Sequence, residues 1–269
     1  EILIGLVGSE MCIRDSSIDV RFCMCFPDVY EIGMSHLGIQ ILYGMLNSWD
    51  DVWCERVYSP WVDLDEIMRK ENIPLFALES QDPIKDFDFL GITIQYEMCY
   101  TNILQVLDLA GIPLLATERG EDCPIVIGGG PCTYNPEPIA DFFDIFYIGE
   151  GETQYRPLID LYKKCRTEKT GREEFLRRAA KLPGMYGPRF YETTYHENGT
   201  IASFRPTEEG IPARIRKELV TDMTDSFYPM KPVVPYIKVT QDRVVLEIQR
   251  GCIRGCRFCQ AGQLYRPVR

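Results

Sequence analysis

Five short apolar runs that alternate with helix-like segments constrain the fold of this 269-residue chain more than any other feature. Continuous apolar runs indicate strands that are buried on both faces, and strands that alternate with helices usually pair in parallel. The sequence therefore predicts an α/β fold over residues 18–166, a flavodoxin-like doubly wound parallel sheet. The predicted strands are Val20–Phe26, Val52–Val57, Phe89–Ile94, Pro124–Ile127 and Ile145–Ile148.

In a sheet of this kind, ligands bind beyond the carboxyl ends of the strands. The loops that follow the predicted strands are therefore the first places to look for a site. Two of them are rich in glycine, which lets a backbone approach a neighbouring group closely. The loops are 27–35, 95–101, 128–138 and 149–153.

Beyond residue 166 the pattern changes, and residues 167–240 are predicted to form a connector. A short helix is expected at 173–181, after a polar stretch. Two alternating runs, 189–195 and 201–204, flank Glu197-Asn198-Gly199 and predict a β-hairpin. Prolines then interrupt the path repeatedly, which is typical of an extended connection between domains.

Three cysteines near the end of the chain, Cys252, Cys256 and Cys259, have the spacing C-x3-C-x2-C. They follow the strand-like run Val244–Ile248. Three thiolates so close together can hold one corner of an iron–sulfur cluster and leave one iron open. Structural zinc usually takes four ligands, and three cysteines cannot pair evenly as disulfides. Zinc and plain buried thiols remain as alternatives.

This motif, with the aromatic residue Phe258 before the third cysteine, resembles the radical S-adenosylmethionine (SAM) superfamily. The resemblance implies an enzyme with a 4Fe–4S cluster held by Cys252, Cys256 and Cys259, with Phe258 near the bound SAM. The open iron would chelate SAM, and one electron would cleave it to methionine and a 5′-deoxyadenosyl radical. Residues 241–269 would then begin a radical SAM (β/α) barrel, with Val244–Ile248 as its first strand. An electron donor such as flavodoxin or ferredoxin is implied, and a small molecule, a peptide or RNA as substrate.

The glycine loops resemble the cobalamin-binding-type domain that precedes many radical SAM barrels, which implies cobalamin as a possible further cofactor. The alternative is that these glycines form tight turns and bind nothing. The base-off cobalamin signature D-x-H-x-x-G is not met around His36, which is expected to cap or pack at a helix start. Glu150 and Glu152 could contact ligand hydroxyls or a helix N-terminus. The predicted pocket residues are Gly128, Gly129, Gly130, Thr133, Gly149, Glu150 and Gly151.

Three arginines flank the cysteines: Arg250, Arg254 and Arg257. Either they are solvated surface residues or they balance an anionic cluster and tune its potential. Among the isolated cysteines, most are expected in the core, and Cys99 and Cys132 are the two on ligand-side loops.

Composition narrows the class further. A net charge of −11 argues against general nucleic-acid binding, and no apolar run is long enough to span a bilayer. Eleven cysteines that mostly lie alone in apolar segments indicate reduced thiols and a cytoplasmic protein. Residues 1–17 resemble a translated adaptor more than native sequence, and the chain is expected to be a fragment that stops just after the cluster motif.

A second class of function is a flavodoxin-like module that binds a small ligand, with structural zinc or an electron-transfer cluster at the cysteine loop. Three cysteines without a nearby fourth ligand speak against it. Catalytic residues other than the cluster ligands are not assigned from the sequence.

Overall fold

The structure, a computed structural model, describes residues 18–224 and 226–269. The predicted leader, residues 1–17, lies outside this part of the chain. Within it, a six-stranded sheet has the order β2-β1-β3-β4-β5-β6, and its first five strands are parallel. The predicted α/β class and flavodoxin-like strand order are confirmed. The strands are β1 (Val20–Phe26), β2 (Val52–Tyr58), β3 (Phe89–Thr93), β4 (Ile125–Gly129), β5 (Ile145–Tyr147) and β6 (Met185–Tyr186).

Helices cover both faces of this sheet because successive side chains of each strand point to opposite sides. On one face, strand residues such as Phe22 and Ile127 pack with α2, α5 and α6; on the other, Cys23 and Leu90 pack with α3 and α4. The helices are α1 (Tyr30–Gly33), α2 (Leu37–Asn47), α3 (Val62–Glu71), α4 (Tyr100–Leu109), α5 (Tyr155–Glu168) and α6 (Gly171–Ala179).

The packed core continues past the predicted boundary at residue 166. Helix α5 runs on to Glu168, and β6 joins the sheet edge antiparallel to β5. Phe175, Met185 and Phe190 are nearly inaccessible and belong to the same apolar cluster as β1. The α/β unit therefore includes α6 and β6, which sequence patterns had assigned to the connector.

The predicted hairpin is present as β7 (Tyr191–Tyr195) and β8 (Ile201–Pro206), which pair antiparallel. Residues 207–224 and 226–240 follow without a regular strand or helix. This stretch crosses the carboxyl ends of the sheet, where Gly149 and Glu218 form a parallel bridge. The connector thus contacts one of the loops that the sequence singled out.

The run Val244–Ile248 is not a strand in the structure, contrary to expectation. Val244, Leu246 and Ile248 are 78%, 68% and 89% exposed. A strand is held by hydrogen bonds to a neighbouring strand, and the described residues offer this run no such neighbour. A final short helix, α7 (Ala261–Leu264), follows the three cysteines.

None of the helices in the two described ranges combines the length and the hydropathy that a bilayer crossing requires.

Candidate functional site

A cavity of about 350 Å³ lies at the carboxyl ends of the parallel strands. The loops after β1, β3, β4 and β5 form its inner wall, and residues from 247 to 265 close its outer side. This is the edge at which doubly wound sheets bind ligands. The cysteine-bearing segment therefore lies directly over the place where the sequence predicted a ligand. Side chains that line the cavity include His36, Gln95, Tyr134, Glu150, Glu152 and Tyr265.

His36 caps α2, as its sequence context predicted. Its Nδ1 accepts a hydrogen bond from the Ile39 backbone N–H at 3.3 Å, and its ring lies 5.2 Å from that of Phe26. Burial lowers the pKa of His36, and a hydrogen bond with Gln95 opposes this shift. One imidazole nitrogen is thus committed to the helix start.

The predicted cobalamin-pocket residues divide into two groups. Gly130, Gly149, Glu150 and Gly151 line the cavity, whereas Gly128, Gly129 and Thr133 do not. Thr133 is fully buried, and its hydroxyl donates to the carbonyl oxygen of Gly130 at 2.8 Å. A side chain in that position cannot reach a ligand in the cavity.

Two of the glycines make room for the protein's own backbone. Gly130 has φ +95°, and a Cβ there would lie 2.8 Å from the carbonyl oxygen of Ile94. A Cβ on Gly149 would lie 2.4 Å from the carbonyl oxygen of Glu218. Close packing against the chain's own backbone therefore accounts for the absence of a side chain at both positions.

Glu150 and Glu152 bind arginines of the cysteine segment. Arg250 lies 3.1 Å from Glu150 Oε2 through Nη1 and 2.5 Å from Glu152 Oε1 through Nη2. Glu150 also accepts hydrogen bonds from the Val220 N–H, at 2.7 Å, and from the Arg269 guanidinium. The two carboxylates therefore pair with arginines of the cysteine segment, which are partners that the sequence did not suggest.

The arginines near the cysteines differ from one another. Arg250 is largely buried; burial lowers its pKa, but hydrogen bonds to Glu247 and Glu152 outweigh this and raise it overall. Arg254 and Arg257 are exposed and form no ion pair within residues 18–224 and 226–269. Solvation, one of the two predicted roles, describes Arg254 and Arg257 but not Arg250.

The three motif cysteines lie on an accessible loop. Cys256 is exposed, Cys252 and Cys259 are half-buried, and Phe258 is 91% exposed. The N–H of Arg254 points to Cys252 Sγ and that of Gly262 to Cys259 Sγ, both at 3.4 Å. Amide hydrogen bonds to sulfur are a feature of iron–sulfur ligation.

No group of three His, Cys, Asp or Glu side chains is arranged for metal binding in the part of the chain that the structure describes. The donor chemistry still fits a cluster, because the three cysteines are free and two of the sulfurs already accept amide hydrogen bonds. In many proteins the ligands of a metal take up their final arrangement only when the metal binds. The assignment of Cys252, Cys256 and Cys259 as ligands stays a prediction.

The other described cysteines, seven in residues 18–224, are all buried and free. Cys99 donates to the carbonyl oxygen of Tyr96 at 2.9 Å, and burial raises its pKa. Burial likewise raises the pKa of Cys132 to about 11. Both thiols stay protonated at neutral pH and behave as core residues.

Sequence reasoning missed two cations of the site. Lys217 Nζ donates to the carbonyl oxygens of Leu264, at 2.9 Å, and of Arg266. Burial, and repulsion by Arg269, lower the pKa of Lys217. No local pattern marks Lys217 or Arg269, because their partners lie 47 residues or more away along the chain.

Comparison with known proteins defines the class. Residues 38–188, more than half of the chain, match the family described as radical SAM proteins, N-terminal. The chain belongs to this family. It is 28% identical over 246 residues to uncharacterized protein MJ0966 of Methanocaldococcus jannaschii. That match covers 91% of this chain and 41% of the relative, so the chain spans less than half of the relative's length.

Among solved structures, the chain is similar to the radical S-adenosylmethionine methyltransferase TsrM from Kitasatospora setae, determined with tryptophan substrate and the SAM analogue aza-SAM. The TM-score is 0.34 and the sequence identity is 13%, over 66% of this chain and 29% of that one.

Proposed function

We propose that this chain carries the cluster-binding part of a radical SAM enzyme. Cys252, Cys256 and Cys259 are assigned as the ligands of a 4Fe–4S cluster, with one iron left for SAM. The observation that carries the proposal is the accessible three-cysteine loop in a chain of the radical SAM N-terminal family. The proposed activity requires the cluster, SAM, a substrate and an electron donor.

When bound, the cluster would supply the electron that cleaves SAM reductively. The protein's part is to bind and orient. The amides of Arg254 and Gly262 are placed to donate to Cys252 Sγ and Cys259 Sγ. Amide hydrogen bonds to the sulfurs would help to set the potential of a bound cluster. The exposed ring of Phe258 stands beside Cys259 and is proposed as a contact for SAM.

A reduced compartment, the cytoplasm, and a donor such as flavodoxin or ferredoxin fit this chemistry. The proposed substrate is a small molecule, a peptide or RNA. Cobalamin is kept as a hypothesis for the strand-end cavity, since Gly130, Gly149, Glu150 and Gly151 line it. Titration of hydroxocobalamin into the whole protein, followed by absorption, tests that hypothesis.

Anaerobic reconstitution of the whole protein with iron and sulfide tests the cluster. We expect about four irons per chain and a cluster whose spectrum responds to SAM. Cys256→Ala should lose this cluster, because one of three ligands is removed. Cys165→Ala, in the buried core, is the matched control and should keep it. Stoichiometric zinc without iron-dependent absorption would contradict the proposal and favour a structural site.

A further inference from the structure

The cysteine loop is closed at its base by two backbone hydrogen bonds. The Arg250 N–H donates to the Arg269 carbonyl at 3.0 Å, and the Arg269 N–H donates to the Arg250 carbonyl at 2.9 Å. We call Arg250 and Arg269 the loop base. All three motif cysteines lie between these two residues, so the position of the base limits where the cysteines can lie.

The side chains of the loop base meet carboxylates that follow β5. Arg250 uses three nitrogens: Nη1 faces Glu150, Nη2 faces Glu152, and Nε and Nη2 lie 2.9 Å from the two oxygens of Glu247. Arg269 binds Glu150 as well. Glu150 thus contacts both residues of the base, and Glu152 adds a second contact to Arg250.

These ion pairs are shielded from water. The side chains of Arg250 and Glu152 are 10% and 12% exposed, and those of Arg269 and Glu150 are 7% and 14% exposed. Pairs on an open surface contribute little, whereas removing one partner of a shielded pair leaves an uncompensated charge. Moving the base away from Glu150 and Glu152 would therefore leave shielded charges without partners, which disfavours other positions of the base.

Among the residues that the structure describes, none forms an ion pair with the tip of the loop. Cys256 is exposed, and Ile253 and Phe258 are 80% and 91% exposed. In the part of the loop that follows the cysteines, the carbonyl oxygens of Leu264 and Arg266 accept hydrogen bonds from Lys217 Nζ. The loop is anchored at its base and in the part that follows the cysteines, while the cysteine-bearing tip stays free to receive a cluster.

We propose that Glu150 and Glu152 are positioning residues for the cysteine loop, acting through Arg250 to fix its base over the strand-end cavity. The inference deepens the proposed function and rests on it for the identity of the cluster. A ligand in the cavity and a cluster on the loop would then share one wall, since Glu150, Glu152 and Arg250 all line the cavity. The glycine loop after β5 would thereby couple the α/β unit to the cluster.

Hydrogen exchange of the metal-free 269-residue chain tests the positioning without any cluster. We expect Arg250→Met and the double variant Glu150→Gln/Glu152→Gln to speed amide exchange within 250–269 about tenfold or more. Adding Glu152→Gln to Arg250→Met should change exchange little further, because both changes remove the same ion pair. Arg257→Met, an exposed arginine of the same loop, is the matched control and should leave exchange unchanged.

Amides of β1 and β3, measured in the same experiment, report whether the sheet is intact. If Arg250→Met unfolds the sheet, Glu152→Gln alone keeps the side-chain shape and serves instead. A second readout is the rate at which reconstituted protein loses iron to a chelator, which should rise in the same variants but not in Arg257→Met. Exchange in 250–269 that is equal for Arg250→Met and Arg257→Met, with the sheet protected, would overturn the inference. Failure of the wild-type chain to bind iron would refute the proposed function and leave the exchange result standing.

Discussion

At the scale of single residues, Glu150 shows how one side chain acquires a role that its neighbours in sequence do not reveal. It follows β5 in a glycine-rich loop, a setting that suggests a ligand contact. In the structure its carboxylate accepts from Val220, Arg250 and Arg269. Charge-assisted hydrogen bonds of this kind are stronger than neutral ones and fix geometry. The residue therefore connects parts of the molecule.

The adjacent glycines Gly129 and Gly130 give a sharp test of backbone constraint. Gly130→Ala should destabilise the protein by about 1–3 kcal/mol, because the residue has φ +95° and its Cβ would meet the Ile94 carbonyl. In Gly129→Ala the new Cβ would have no neighbour within 4 Å. This variant should therefore change the free energy of unfolding by about 1 kcal/mol at most. Urea unfolding measures both. Equal losses for the two variants would contradict the close-packing explanation.

His36 predicts a pH dependence whose sign follows from burial. Its pKa is lower in the folded protein than the usual 6.5, so the unfolded chain binds the proton more strongly. Neutral His36 therefore contributes its full share of the folding free energy above pH 6.5, the usual pKa. This contribution is lost as the pH falls through the lower pKa of the folded protein. Protonation also removes the Nδ1 acceptor that caps α2.

His36→Asn, which retains a good capping side chain, should reduce this acid-side loss. The measurement is the free energy of unfolding at about pH 7.5 and about pH 5.5 for wild type and variant. The control is His196→Asn, which replaces the second of the two histidines in the sequence, at the exposed hairpin turn. A pH dependence that His36→Asn leaves unchanged would show that other groups govern the acid limb.

At the scale of elements, Asp144 connects the amino end of β5 to four surrounding segments. Its Oδ2 accepts from Arg119 at 3.1 Å, from Arg172 at 2.8 Å and from the Val126 N–H at 2.9 Å. Arg189 adds a contact to Oδ1 at 3.3 Å. The Arg119 and Asp144 side chains are fully buried, so the carboxylate compensates charge that water cannot reach.

Asp144→Asn keeps the shape and removes the charge, leaving Arg119 and Arg172 without their counter-ion. We expect a loss of about 3–5 kcal/mol of folding stability, as for other buried pairs that lose one partner. Glu192→Gln breaks the exposed pair with Arg205 on the hairpin and should cost about 1 kcal/mol or less. Urea denaturation compares the two. If Asp144→Asn lost as little stability as the surface variant, the role of Asp144 as a buried counter-ion would be contradicted.

Across the whole molecule, the core of the six-stranded sheet includes residues beyond the predicted domain boundary. Phe175, Leu176, Met185 and Phe190 are each 2% exposed or less. Burying a large apolar side chain stabilises a fold by about 1.5–3 kcal/mol, and net stability is about 5–15 kcal/mol. Losing all four would remove a large share of the total.

A chain of residues 18–166 should therefore fail to fold cooperatively, while residues 18–206 should show a single thermal transition. Circular dichroism melts of both fragments measure this directly. Both fragments lack the cysteine loop, so its absence does not distinguish them. A cooperative melt of the shorter fragment would restore the boundary at residue 166.

Local patterns in the sequence were enough to predict five of the six strands of the sheet, most of its helices and the cysteine motif. Apolar runs, helical spacing and a hairpin turn act over a few residues, and five parallel strands followed from them. The same locality explains the failures at β6 and at Val244–Ile248. Two residues are too short for a pattern, and an apolar run becomes a strand only beside a partner.

The tertiary structure alone decided what the glycine-loop carboxylates do. Glu152 and Arg250 are 98 residues apart, and Glu150 and Arg269 are 119 apart. No period in a sequence encodes such a pairing, since it depends on where the connector carries the cysteine segment across the sheet. Ion pairs form between side chains that folding brings together and shields from water, so they become visible when the path of the whole chain is known.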